Sequence, residues 1–91
     1  MKRLYPTTQY KKDYKRIRRN PAKVARLFAI LQKLQNEEPI PAEFSPHMLT
    51  GNYANHMECH IEGDFLLIWF DREADVIDLV RLGSHSELFK K

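Results

Sequence analysis

The apolar positions along the chain follow two periods, and the change from one to the other predicts the fold. From Tyr53 to Glu62 they alternate, with Tyr53, Met57, Cys59 and Ile61 on one parity and His56, Glu58, His60 and Glu62 on the other. Successive strand side chains point to opposite faces, so this stretch predicts a strand with one apolar face and one face of imidazoles and carboxylates. Gly63-Asp64 supplies turn chemistry, since glycine tolerates positive φ and aspartate bonds its own backbone. Phe65, Leu66, Leu67, Ile68, Trp69 and Phe70 then run without a polar break. That predicts a central strand covered on both faces. The hairpin organises the chain, and the remaining elements are expected to cover one of its faces and leave the other open.

Upstream the period is helical. Tyr10, Tyr14 and Ile17 fall at i, i+4 and i+7, after Thr7 or Thr8 as a cap. Asn20-Pro21 stops this helix and starts another, with Asn20 as N-cap and Pro21 at the first helical position. Val24, Leu27, Phe28, Leu31 and Leu34 form the second stripe, and Pro39 ends it. Lys2 to Tyr5 reads as a first strand closed by Pro6, which lacks a ladder donor. The three prolines between Glu37 and Pro46 predict an extended loop, and His47 to Gly51 a short edge segment. Asp71 to Asp75 is a polar connection, and VIDLVRL, Val76 to Leu82, is the last strand. Ser84-His85-Ser86-Glu87 has the form of a capping box, so a short helix should start at Ser84. Leu88 and Phe89 would pack it down and leave Lys90 and Lys91 free. The order is β-α-α-β-β-β-α: one α+β domain over residues 1–91, a helical hairpin packed on a small antiparallel sheet.

Composition narrows the class of protein. At 91 residues, 43% hydrophobic and 30% charged, the chain has the make-up of one ordinary globular domain. Its one cysteine, Cys59, permits no disulfide framework and falls on the apolar parity, which suggests a buried thiol and a reducing compartment. No apolar run has the length of a signal peptide or a bilayer span, so the expected location is cytoplasmic, without membrane attachment. The net charge of +3 hides an asymmetry. Met1 to Asn36 carries eleven Lys/Arg against one acid, Asp13, a balance of +10; the rest balances at −7. Such a half suits a polyanion or an acidic protein partner, and is also what a solvated helix face carries.

Four histidines, His47, His56, His60 and His85, are the main chemical signal. His60 shares its face with Glu58, and Asp64 lies in the adjoining turn. His85 would occupy the first turn of the last helix, where the helix dipole opposes its charged form. Imidazoles in different environments can divide acid and base roles. A lone histidine is more often a surface or satisfied core residue, and that reading fits His56 best. The spacing His56-x-Glu58-x-His60 also offers three metal ligands on one strand face, although no second cysteine or helical H-x-x-x-H accompanies it. Cys59 has the wrong parity to act with its histidine neighbours as a nucleophile.

These pieces together resemble a known family. The order of elements is similar to that of RelE-like toxins of bacterial toxin–antitoxin pairs, and the detail resembles their YafQ branch. The resemblance rests on Q-Y-x-K-D from Gln9 to Asp13 and H-x-L-x-G from His47 to Gly51. E-x-H-x-E-x-D from Glu58 to Asp64 and R-x-G-[ST]-H-x-x-L-F from Arg81 to Phe89 complete it. It implies a ribosome-dependent endoribonuclease, an mRNA interferase that needs neither metal nor cofactor. It implies His47, Glu58, His60, Asp64 and His85 as catalytic residues, with glutamate at position 58 where the family has aspartate. Phe89 matches an aromatic that holds a base. Met57 stands where an arginine is common, so phosphate contact would fall to Arg81 and nearby lysines. The implied partners are a cognate antitoxin, the ribosome and messenger RNA, and the free toxin is expected to be a monomer.

The residue types suit that chemistry by themselves. Cutting RNA through its 2′-hydroxyl needs a base, an acid and cations at the phosphorane. His85 is expected as acid, His60 with Asp64 or Glu58 as base or orienter, His47 as a second polar contact and Arg81 as phosphate clamp. Strand parity sets Arg81 with Ile77 and Leu79, on the core side. Lys11, Lys12, Lys15, Arg16, Arg18 and Arg19 are expected to grip ribosomal RNA. Two other readings remain: a non-catalytic nucleic-acid-binding module, and a small metal-binding protein using the His/Glu face.

Overall fold

In the computed structural model, which describes residues 1–72 and 74–89, strand β1 (Arg3–Pro6) enters helix α1 (Thr8–Ile17) through a threonine cap. The Thr7 side chain accepts the Tyr10 N–H, and its own backbone N–H donates to the Leu79 carbonyl. One residue thus starts the helix and anchors it to the sheet. Asn20 caps α2 (Pro21–Gln35) by accepting the Lys23 N–H, with Pro21 in the first turn where its missing N–H costs nothing. The buried stripe of α2 is Leu27, Ile30 and Leu34. Phe28, which the sequence put on that stripe, is 52% exposed and stacks on Tyr14 of α1. A helix that meets both a sheet and a neighbouring helix has its apolar positions divided between them.

Four further strands follow: β2 (His47–Met48), β3 (Met57–Glu62), β4 (Phe65–Asp71) and β5 (Val76–Gly83), then a single-turn helix α3 (His85–Leu88). The spatial order is β1-β5-β4-β3-β2. The sheet is mixed, because β1 pairs with β5 in parallel while the other pairs are antiparallel. The sequence reading had an antiparallel sheet throughout. Alternation fixes which face a residue takes, but not which strand lies beside it or in what direction. The two-residue β2 is the expected edge segment, and it sets His47 opposite Glu58. Strand β3 begins at Met57, so Tyr53 (in a 3₁₀ turn, Gly51–Tyr53) and His56 stand outside the alternation expected for them.

The helices cover one face of the sheet. Tyr10, Leu27, Ile30 and Leu34 meet Cys59, Ile61, Phe65, Leu67, Trp69, Ile77, Leu79 and Leu82. On the other face Leu66 and Ile68 pack with Leu88 of α3, flanked by Leu49, Tyr53 and Val80. Strand β4 is therefore covered on both sides, as its unbroken apolar run requires. Glu58 and His60 share this second face, beyond the small cluster.

Two bulges redirect side chains. Pairing runs from His60 opposite Leu66 to Glu62 opposite Phe65, which leaves Ile61 as an extra residue. Glu62 turns away from the histidine face and pairs with Arg26 of α2 at 3.3 Å. Pairing also runs from Ile68 opposite Arg81 to Trp69 opposite Leu79, which leaves Val80 extra. The core positions become Ile77, Leu79 and Leu82, and Arg81 leaves the core side to which simple parity assigned it. Among the described residues no helix is long and apolar enough to cross a membrane. Lys90 and Lys91, expected to be free, lie outside the described residues.

Candidate active site

The polar face of the hairpin gathers three histidines around two carboxylates. The rings of His47 and His60 lie 6.2 Å apart and those of His60 and His85 5.6 Å apart. Glu58, only 2% exposed, lies beneath the first pair: its Oε1 is 3.1 Å from His47 Nε2 and 3.8 Å from His60 Nε2. His47 also holds the Ser45 carbonyl through Nδ1 at 2.7 Å. A carbonyl accepts only, so Nδ1 carries a proton. The other ring nitrogen, Nε2, faces the Glu58 carboxyl. The other Glu58 oxygen, Oε2, is buried and meets no hydrogen-bond partner among the described residues. Such an oxygen is costly to leave unpaired.

Asp64 serves His85. Its Oδ1 accepts from the His85 backbone N–H at 3.0 Å and lies 2.7 Å from His85 Nδ1. These bonds, the backbone one foremost, hold the Asp64 carboxyl below its ordinary range. The anion fixes Nδ1 as the protonated nitrogen and leaves Nε2 as the one not bonded to Asp64. The sequence had offered Asp64 as a companion of His60; the turn instead aims it at the start of α3. That start is built by a capping box, in which Ser84 accepts the Glu87 N–H and Glu87 accepts the Ser84 N–H. Gly83 precedes it at φ 155°, where a Cβ would lie 2.8 Å from Glu87 Oε1.

Phe89 is 37% exposed, its ring 5.8 Å from those of both His85 and Tyr53. Arg81 donates to Asp13 through Nε at 2.8 Å and Nη2 at 3.3 Å, and Nη1 reaches the Tyr53 hydroxyl at 3.4 Å. Asp13 is fully buried and also accepts from Arg16, Gln9 and the Leu82 N–H. Strand β1 is paired with β5 only as far as Leu79. Beyond it the Asp13 carboxylate takes over the exposed edge, and it aims Arg81 while doing so. Sequence reasoning passed over Asp13 and Tyr53 as site residues. The available signal was that Asp13 is the one acid in a strongly basic half.

Met57 packs against the helix-side core and offers no cation. The six cations of the first helix divide between two sides. Lys11, Lys15 and Arg18 border an apolar groove lined by Leu4, Tyr10, Tyr14 and Phe28, while Arg16 ties Asp13 to Glu87. Lys12 and Arg19 are exposed. Cys59 is buried and its thiol is pushed up to about 12, chiefly by burial.

A metal set exists, but it is not the one the strand spacing suggested. His56 lies off the strand against Phe70, and the ligand atoms that converge, all within 4.8 Å, belong to Glu58, His60 and His85. One carboxylate and two imidazoles suit a borderline-soft divalent ion.

Residues 2–90 match the family described as bacterial toxin of type II toxin-antitoxin system, YafQ. A putative toxin YafQ of Haemophilus influenzae is 35% identical over 57 residues, 59% of this chain and 56% of the relative, so that match spans just over half the relative's length. The mRNA interferase toxin YafQ of Escherichia coli is 29% identical over 82 residues, 89% of this chain and 88% of the relative. In three dimensions the chain resembles a copper-bound L66S mutant toxin from Helicobacter pylori, with a TM-score of 0.89 and 34% identity over 98% of this chain and 100% of that one. The sequence match over nearly the whole chain and the shared fold agree: the protein belongs to the YafQ family of bacterial toxins of type II toxin–antitoxin systems.

Proposed function

We propose that the protein is a ribosome-dependent endoribonuclease that cuts messenger RNA by acid–base catalysis through the 2′-hydroxyl, and that a cognate antitoxin holds it inactive. One observation carries the reading: two histidines stand 5.6 Å apart, ring to ring, each with its own carboxylate behind it. His60, whose Nδ1 meets no protein partner among the described residues, takes the 2′-hydroxyl proton there, and Glu58 stabilises the imidazolium that forms. The 2′-oxygen bonds to phosphorus, the bond from phosphorus to the 5′-oxygen breaks, and His85 Nε2 protonates the departing oxygen. A 2′,3′-cyclic phosphate and a 5′-hydroxyl remain. Asp64 holds the His85 ring in place, in the manner of a triad carboxylate. His47 fixes Glu58, Arg81 meets the phosphate, and Phe89 stacks on a base. The cations of α1 hold ribosomal RNA, since phosphate neutralisation supplies most nucleic-acid affinity. The free toxin acts in the cytoplasm as a monomer.

Support comes from the E. coli relative, whose name is that of an mRNA interferase. The test adds purified protein to a translating extract and maps message ends by primer extension. Cleavage inside messages, abolished by His85→Ala in a folded protein, is the expected result. Intact messages with wild-type protein, or equal cleavage by the variant, would overturn the reading.

A second reading is favoured by the converging ligands of Glu58, His60 and His85 and by the copper-bound state of the H. pylori relative. On that reading the same residues hold a transition metal. Stoichiometric metal in protein purified without chelator, together with loss of cleavage on chelation, would favour it over metal-free catalysis.

A further inference from the structure

His56 is held in the same way as His47, yet it has no protein task. Each ring bonds through Nδ1 to the carbonyl two residues earlier: His47 to Ser45 at 2.7 Å and His56 to Ala54 at 3.0 Å. His47 then spends Nε2 on Glu58, whereas no described residue meets the Nε2 of His56. Its half-buried ring is wedged between Phe70 at 4.9 Å and Tyr53 at 5.7 Å. Tyr53 meets Phe89, and Phe89 meets His85. A continuous track of rings therefore leaves the catalytic histidine and extends beyond Phe89. Its middle ring touches the Arg81 guanidinium through the tyrosine hydroxyl. The loop that carries it is tightly turned, with Asn55 at φ 69°, a backbone state that asparagine adopts at modest cost.

Aromatic side chains in a row beside a cation are how proteins seat the splayed bases of single-stranded RNA. We infer that Tyr53 and His56 form a second nucleobase subsite, next to the one at Phe89, and that His56 Nε2 reads the edge of the base held there. In the neutral ring with Nδ1–H given to Ala54, Nε2 can only accept. It therefore selects a base that turns an N–H toward it, and in adenine the exocyclic amine is the one such donor. The inference rests on the ribonuclease reading and adds sequence preference to it. One hydrogen bond of this kind corresponds to roughly a 2- to 10-fold preference.

The experiment compares messages that differ only at one base near a fixed cleavage site, in translating extract, with wild-type protein and with His56→Phe. Phenylalanine keeps the ring and removes the acceptor. Wild-type protein should cut the adenine message roughly 2- to 10-fold faster than one with purine, which lacks the amine, at a single position. His56→Phe should cut them equally, and an isolated loss of packing would lower all rates together instead. Equal rates for adenine and purine at every position, or an unchanged preference in His56→Phe, overturn the subsite while leaving the nuclease standing. Absence of any wild-type cleavage overturns both.

Discussion

Replacing Asp13 by Asn tests whether one buried carboxylate both holds α1 to the sheet and aims Arg81. The carboxylate accepts five hydrogen bonds, two from Arg81, one each from Arg16 and Gln9, and one from the Leu82 N–H. Asparagine fits the space but keeps one acceptor, and its amide would point N–H groups at other donors. Breaking a buried ion pair by removing one partner costs about 3–5 kcal/mol. The Arg81 side chain retains 17% of its exposure and can reach water, so the lower end applies, about 3 kcal/mol. At roughly 4–8 °C per kcal/mol for a domain of this size, the melting temperature should fall by about 12–24 °C. Urea denaturation at constant m-value measures the loss directly. In a double-mutant cycle with Arg81→Gln, the pair should recover more than about 1 kcal/mol relative to the sum of the single changes. On the proposed mechanism the folded fraction of Asp13→Asn should also lose rate in the cleavage assay, because Arg81 is no longer held in a fixed position. A stability loss under about 1 kcal/mol with additive single mutants would refute the reasoning.

Two further outcomes follow from the start of α3. Gly83→Ala should destabilise the protein and slow cleavage by displacing Glu87 and with it His85, since the added methyl would lie 2.8 Å from Glu87 Oε1; Gly83→Ala with an unchanged amide shift at His85 would contradict that geometry. Asp64 and Glu87 both have carboxyls held below their ordinary range, each first by a backbone N–H, of His85 and Ser84 respectively. Their stabilising effect is therefore complete above the ordinary carboxylate range of about 4 and fades as pH falls through the lowered folded values. Protection from hydrogen exchange at the His85 and Ser84 amides, relative to their intrinsic rates, should fall across that acid window, and Asp64→Asn with Glu87→Gln should make it independent of pH there.

The class of fold was legible in the chain because it rests on local periods and caps. Tyr10 and Tyr14, Leu27 and Leu34, the Asn20-Pro21 boundary, the Gly63-Asp64 turn and the Ser84–Glu87 box all act within a few residues of themselves. Each appears in the structure as the element the sequence implies. The unbroken run from Phe65 to Phe70 likewise announced a strand buried on both faces. The shared face of Glu58 and His60 was also visible, since alternation along one strand is a local pattern.

Their partners were not. Which carboxylate meets which histidine depends on how the β3–β4 turn meets α3, and this gave Asp64 to His85 and left Glu58 between His47 and His60. Alternation alone put Arg81 in the core, and one extra residue at Val80 removed it. A bulge costs a ladder bond at one place and is settled by packing on both sheet faces, so no local signal carries it. The parallel pairing of β1 with β5 and the capture of Arg81 by Asp13 join residues nearly the whole chain apart. No local signal specifies a contact between residues so distant in sequence, and for that reason the tertiary structure alone decided how the site is wired.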